Sequence, residues 1–279
     1  MGCFCIFGTK YYDMLKKLFS LSIAGMIIYA CASVPVTGRK QLSLIPNSEL
    51  MPMVKQEYSS VIQQGPLSKN QEQTQLVKRV GVRIQKAVEE YMASEGHADH
   101  LKDFAWEFNL IEDPNTANAW CMPGGKVAFY TGILPICKDE TGVAVVMGHE
   151  VAHAIANHGG ERMSTQMVAQ YGMNTLGALM GQNPTAGRQL LMQAVGAGAG
   201  VGMLKFSREH ESEADRMGLI FMSMAGYDPN AAVSFWERMS TESGGQSPPE
   251  FLSTHPSHTT RINDLKKWIP EAQKYYKGN

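Results

Sequence analysis

Apolar positions along the 279-residue chain change their spacing, and each change marks a different kind of element. Over residues 70–93, Leu76, Val80, Ile84, Ala87, Val88 and Tyr91 recur at the spacing of one helix face. Ahead of it, Asn47 and Ser48 are placed to cap a helix that runs to about Gln64 and breaks at Gly65-Pro66. The period then shortens. Residues 104–111 alternate as a strand does, and Asp113-Pro114-Asn115 signals a turn. Trp120-Cys121-Met122, Pro123-Gly124-Gly125 and residues 126–131 read as strand, tight turn and strand. Helical spacing returns over about 139–158, 161–180, 187–205, 207–225, 229–241 and 257–268. A small sheet followed by helices predicts an α+β, mostly helical domain.

The N-terminus has a pattern of its own. Lys16 and Lys17 precede an apolar run over residues 18–29 that ends in Ala30-Cys31. That run is shorter than the roughly 20 residues a spanning helix needs, so it reads as a secretory signal. Ile28-Tyr29-Ala30-Cys31 resembles the lipobox of bacterial lipoproteins, with Tyr29 an unusual residue there. On that reading Cys31 is lipidated and becomes the first mature residue. The alternative is an ordinary signal that happens to be followed by a cysteine. Met14-Leu15-Lys16-Lys17 would make a natural start. The chain is therefore expected to divide into an upstream start-call extension (1–13), a lipoprotein signal peptide (14–30), a lipidated tether (31–46), one folded domain (47–272) and a tail (273–279).

Composition narrows the function classes. A formal net charge of −1 leaves no basic excess to attract nucleic acid. The hydrophobic share of 44% argues against wholesale disorder. Of five cysteines, only Cys121 and Cys137 fall in the folded part; they could pair, but two cysteines do not make a disulfide scaffold. Residues 172–204 are rich in Ala, Gly and Met. Gln182, Asn183, Pro184, Arg188, Gln189 and Gln193 interrupt them, which favours a helical hairpin near the site over membrane contact.

The chemistry centres on His149-Glu150-Val151-Ala152-His153. Residues four apart lie about 40° apart around a helix, so both imidazoles leave one face and can share a divalent ion. Glu150 stands beside them, able to act as a general base. The flanks, Val143 to Met147 and Ala154 to Ala156, are apolar, and polar side chains in such a helix need a compensating role. Zinc takes a third protein ligand and leaves one position open. Residues 207–215 offer two carboxylate pairs, Glu211 with Asp215 and Glu209 with Glu213, which point in different directions. Spacing does not choose between them, and a solvated charged face is the bland alternative. His158 is five residues past His153, about 140° around a continuous helix, and reads as structural. His210 reads as pointing elsewhere.

At this point the chain resembles the HtpX and CAAX-prenyl-protease type of zinc metallopeptidases, and most of all their bacterial lipoprotein members, LoiP- and BepA-like. The resemblance rests on Val36-Thr37-Gly38-Arg39-Lys40-Gln41-Leu42, Asn118-Ala119-Trp120 through Gly125, the His149 motif and Glu161-Arg162. It extends to Ser207, Arg208, Glu211, Ala214 and Asp215, and to His255-Pro256 with Arg261-Ile262. It implies a gluzincin-type fold and one Zn2+ per chain, held by His149, His153 and Glu211, with Asp215 orienting a ligand histidine. Glu150 would be the general base. His255 and Arg261 would lie at the cleft and steady the tetrahedral intermediate, or His255 would cap the zinc and hold the enzyme latent. Substrate would lie along Trp120, Cys121 and Met122 as an added strand, a mode that favours unfolded or misassembled proteins. The family often has a small or aliphatic residue where Cys121 stands, and no helical repeat array follows the peptidase region.

The implied protein is a metalloendopeptidase of the bacterial cell envelope, anchored to a membrane through Cys31. Ala32 after that cysteine suits the outer membrane, facing the periplasm. Two readings compete: a chaperone-like binder whose zinc is capped by His255, and a purely structural metal site closed by the same residue.

Overall fold

The computed structural model describes residues 31–171, 187, 190, 207–242, 250–255 and 260–278. The expected N-terminal extension and signal peptide, and most of the stretch over 172–204 expected to form a hairpin, lie outside them.

The first described segment forms a hairpin. Strands β1 (Cys31–Ser33) and β2 (Lys40–Leu42) pair antiparallel, turning through Gly38 at φ +71°. Helix α1 (Asn47–Gln64) follows, but neither Asn47 nor Ser48 caps it. Pro46 takes the cap position with no side-chain cap bond, and Asn47 instead donates to Asp103. Proline's fixed φ suits a helix start, and the Glu49 and Leu50 amides both donate to the Pro46 carbonyl at 3.0 Å.

Helix α2 (Gln71–Ser94) is capped by the Asn70 side chain, which accepts from the Gln73 amide. Its stripe of Val77, Val80, Ile84, Val88 and Met92 is buried. Gly81 lets it press onto the sheet, because a Cβ there would lie 2.3 Å from the Phe108 ring.

The main sheet has three strands, β3 (Glu107–Ile111), β4 (Ala119–Met122) and β5 (Lys126–Tyr130), in the order β3-β5-β4. β5 is parallel to β3 and antiparallel to β4, with Cys121 opposite Val127. Gly124 and Gly125, both at φ +77°, make the tight turn between β4 and β5. Leu67 bridges to Ile111 and covers the outer side of β3, which leaves β4 as the edge beside the site.

A short helix α3 (Leu134–Cys137) leads into α4 (Glu140–Ile155), whose residues from Gly142 to Ile155 are all buried. The single helix expected over 139–158 is two. Asn157 adopts φ +54° and ends α4, and α5 (His158–Tyr171) starts afresh. Asparagine tolerates the left-handed conformation that a helix C-terminus often takes. Helices α6 (Arg208–Met224) and α7 (Ala231–Glu242) pack against α4, α8 (Glu250–Thr254) follows, and α9 (Arg261–Ala272) packs against α6. The fold is mostly helical with small sheets, as the apolar spacing predicts. No helix among the described residues is long and apolar enough to cross a membrane.

Candidate metal centre

The site grows from α4 outwards. Asp139 caps that helix by accepting from the Gly142 amide, and the apolar run behind it fixes the helix in the core. His149 and His153 leave its face one turn apart, their rings 4.7 Å apart and edge-on. From α6, Glu211 brings Oε2 to 3.5 Å from Nε2 of His149 and Oε1 to 3.4 Å from Nε2 of His153. The two Nε2 atoms are 3.1 Å apart. His255, just after α8, places Nδ1 3.2 Å from Nε2 of His149 and 3.0 Å from Oε1 of Glu211.

Four buried donors thus converge, their ligand atoms all within 4.8 Å of one another. Separations of 3.0–3.5 Å suit a metal ion. Donors roughly 2.0–2.1 Å from a tetrahedral zinc lie about 3.3 Å from each other. Histidine nitrogen and carboxylate oxygen are the donor types that zinc accepts. The residues present therefore fit the metal.

Burial and the two carboxylates, Glu211 and Asp215, set the charges in this cluster. Burial by itself would raise Glu211, but the facing His255 and hydrogen bonds with His149, His153 and His255 hold it well below the usual carboxylate range. Burial opposes a charge on His149, yet hydrogen bonds and charges from Asp215 and Glu211 lift it to about 9. His153 is pushed well below its ordinary value, and His255 to about 4, each chiefly by burial.

Glu150 is buried beside these donors. Its Oε1 has no hydrogen-bond partner among the described residues and stands 3.4 Å from Nε2 of His255. Burial raises its carboxyl to about 8, tempered by His149 and by the Cys121 amide that donates to it. A cleft opens here, lined by Cys121, Pro123, Glu150, His153, Ala154 and Asn157.

Arg261 sits deep, 1% exposed, with its guanidinium 3.2 Å above the Trp236 ring. It donates to Oε2 of Glu211 at 3.0 Å and to Oδ1 of Asp215 at 2.7 Å. That same Asp215 oxygen is 3.0 Å from Nδ1 of His149. Arg261 thus fastens the two carboxylates rather than facing the cleft, because both its terminal nitrogens are engaged with them.

On β4 the side chains of Trp120, Cys121 and Met122 are all buried. Trp120 meets Tyr58 edge-on and donates to the Tyr130 hydroxyl. A partner would meet the strand at its backbone edge, where the Ala119 amide donates to Oδ1 of Asn118 and the Cys121 amide to Glu150. Cys121 and Cys137 are both free, so they form no disulfide. Burial raises both thiols, which disfavours a thiolate ligand. Cys31 opens β1.

Two residues near the centre were assigned no such place by sequence reasoning. The break at Asn157 turns His158 back, so that its Nδ1 lies 2.8 Å from Nδ1 of His153. The 140° offset would hold only on an unbroken helix. Glu213, from the other carboxylate pair, accepts from Nε2 of His158 at 2.8 Å. The asparagine at the end of an apolar helix was the signal available for that break.

Comparisons with known proteins bear on the same region. Residues 80–269 match the sequence pattern of Peptidase family M48. The mitochondrial metalloendopeptidase OMA1 of Schizosaccharomyces pombe is 40% identical over 174 residues, covering 62% of this chain and 49% of that protein. The beta-barrel assembly-enhancing protease of Escherichia coli is 27% identical over 269 residues, covering 92% of this chain and 53% of that protein. A putative beta-barrel assembly-enhancing protease of Vibrio cholerae is 34% identical over 190 residues, covering 64% of this chain and 38% of that protein. The chain spans about half the length of the first two of these relatives.

Proposed function

The chain belongs to peptidase family M48, and from that premise we propose that it is a zinc-dependent endopeptidase acting on unfolded or misassembled proteins of a bacterial envelope. The observation that carries this reading is the convergence of His149, His153 and Glu211 beside a buried carboxylate, Glu150, that lines the same cleft. Those three would hold the zinc. Bound zinc makes water acidic enough to deprotonate near neutral pH and polarises a scissile carbonyl.

This chain's own groups do the rest. Glu150 takes the proton of the attacking water at Oε1 and later passes it to the leaving amine. The backbone edge of β4 takes substrate as an added strand, which reads main chain and asks for an extended, unfolded client. Asp215 and Arg261 keep His149 and Glu211 in place. Anchoring through Cys31 would keep the domain at the membrane. The names of the Escherichia coli and Vibrio cholerae relatives support an envelope setting, whereas the Schizosaccharomyces pombe relative is mitochondrial.

A second reading has an observation of its own. Nδ1 of His255 already lies among the donors, so it stands where a fourth ligand would. On that reading the conformation is latent, and His255 must withdraw before a substrate carbonyl can enter. Cleavage of unfolded casein by the chain starting at residue 32, with zinc assayed beside it, tests the proposal. Metal-dependent cutting at about one zinc per chain is expected; a chain without metal after zinc loading would overturn it.

A further inference from the structure

The hairpin that begins at Cys31 reaches into the back of the metal site. In its turn, Val34 and Arg39 close a backbone hydrogen bond, and Val34 is buried. Arg39 donates through Nε to Oε2 of Glu213 at 2.7 Å, and Thr37 donates to Oε1 of the same carboxylate. The two other Arg39 nitrogens grip Glu161 at 3.0 and 2.7 Å. Glu161 in turn meets Nε2 of His210, whose ring stacks on His158 at 4.3 Å and 20°. Arg39 therefore fastens both the hydrogen-bond partner of His158 and, through Glu161, the ring that stacks on it.

The protons along this chain can be placed. Glu213 only accepts, so Nε2 of neutral His158 carries a hydrogen and Nδ1 offers a lone pair. Nδ1 of His153, 2.8 Å away, must then be the donor. A neutral His153 with its hydrogen on Nδ1 has its free lone pair on Nε2, the atom that faces Glu211 and His149. The reverse arrangement would set a lone pair of His158 against the Glu213 carboxylate.

We propose that Thr37 and Arg39 are positioning residues of the metal site, acting through Glu213 and His158 to fix the tautomer and ring orientation of His153. This rests on the reading of His153 as a zinc ligand. It gives each ligand histidine its own support: Asp215 behind His149, and the His158–Glu213–Arg39 chain behind His153. It also makes the segment next to the proposed lipid anchor part of the site.

The test is zinc affinity by chelator competition, with the melting temperature of the metal-free chain measured alongside. Losing such an outer partner typically weakens metal binding about 10–100-fold. His158→Ala is expected to lose affinity in that range. His158→Gln, whose amide can accept from His153 and donate to Glu213, is expected to recover most of it. Arg39→Ala combined with Thr37→Val reads the same chain from its outer end, and serves if His158→Ala does not fold; it too is expected to weaken binding. Wild-type affinity in either folded variant overturns the inference. Equal losses in His158→Ala and His158→Gln also overturn it, since His158 would then be only a packing residue. If the wild type itself takes up no zinc, the metal reading fails first.

Discussion

Gly148 and Gly218 face each other where α4 crosses α6, so close that a Cβ on Gly148 would stand 2.9 Å from the Gly218 carbonyl oxygen. A Cβ on Gly218 would stand equally close to the His149 amide nitrogen. This contact sets the gap between the helix carrying His149 and His153 and the helix carrying Glu211. A methyl group there must push backbone from backbone. Gly218→Ala is expected to destabilise the fold by about 1–3 kcal/mol, as overpacking does. It should also weaken zinc binding, because Glu211 moves with α6. Thermal melts with chelator competition check both; a variant that melts lower yet binds zinc as tightly would separate the helix contact from the site.

Glu150→Gln removes the proposed base and leaves the donor set alone. Glutamine keeps the shape and can still accept from the Cys121 amide. Casein cleavage is expected to fall by about 10²–10⁴-fold, the usual contribution of general acid–base catalysis. Zinc content should stay unchanged. A variant that cuts as fast as wild type would remove Glu150 from the mechanism, and one that loses zinc would make it part of the metal-holding set.

His255 separates the active reading from the latent one. Because its Nδ1 lies within 3.2 Å of both His149 and Glu211 donor atoms, it is expected to act as a cap. His255→Ala should then raise casein cleavage while weakening zinc binding. Reduced cleavage with unchanged zinc would instead put His255 at the reacting atoms, where its Nε2 faces Glu150.

How much of this was legible in the sequence depends on how local each feature is. His149 and His153 lie one turn apart, so helical spacing alone puts them on one face. The apolar flanks announced a buried helix, and Gly124-Gly125 announced the turn beside the cleft. His158 was hidden because angular arithmetic assumes an unbroken helix, and Asn157 breaks it. Glu213 was hidden for a different reason. It does point away from Glu211, but the α4–α5 chain folds around to meet it from the other side. Arg39 had a place in a recognisable motif and no partner, since its contact with Glu213 spans 174 residues. Only packing reveals such pairs.

The Arg39–Glu161–His210 cluster makes acid stability testable apart from the metal. Burial alone would raise the Glu161 carboxyl, but hydrogen bonds from His210 and Arg39 hold it at about 2. A carboxylate depressed in the folded state stabilises above its unfolded pKa and loses that contribution as pH falls through the folded value. The window therefore runs from about 4.3 down to about 2. A partly screened pair of this kind is worth on the order of 1 kcal/mol, or about 2–4 °C in a domain of this size. In chelator-treated chains, where metal loss cannot intervene, wild type is expected to melt above Glu161→Gln at pH 7. The difference should shrink as the pH passes through that window and vanish at its lower end. A difference that persists unchanged at the acid end would mean that Glu161 contributes through shape rather than charge.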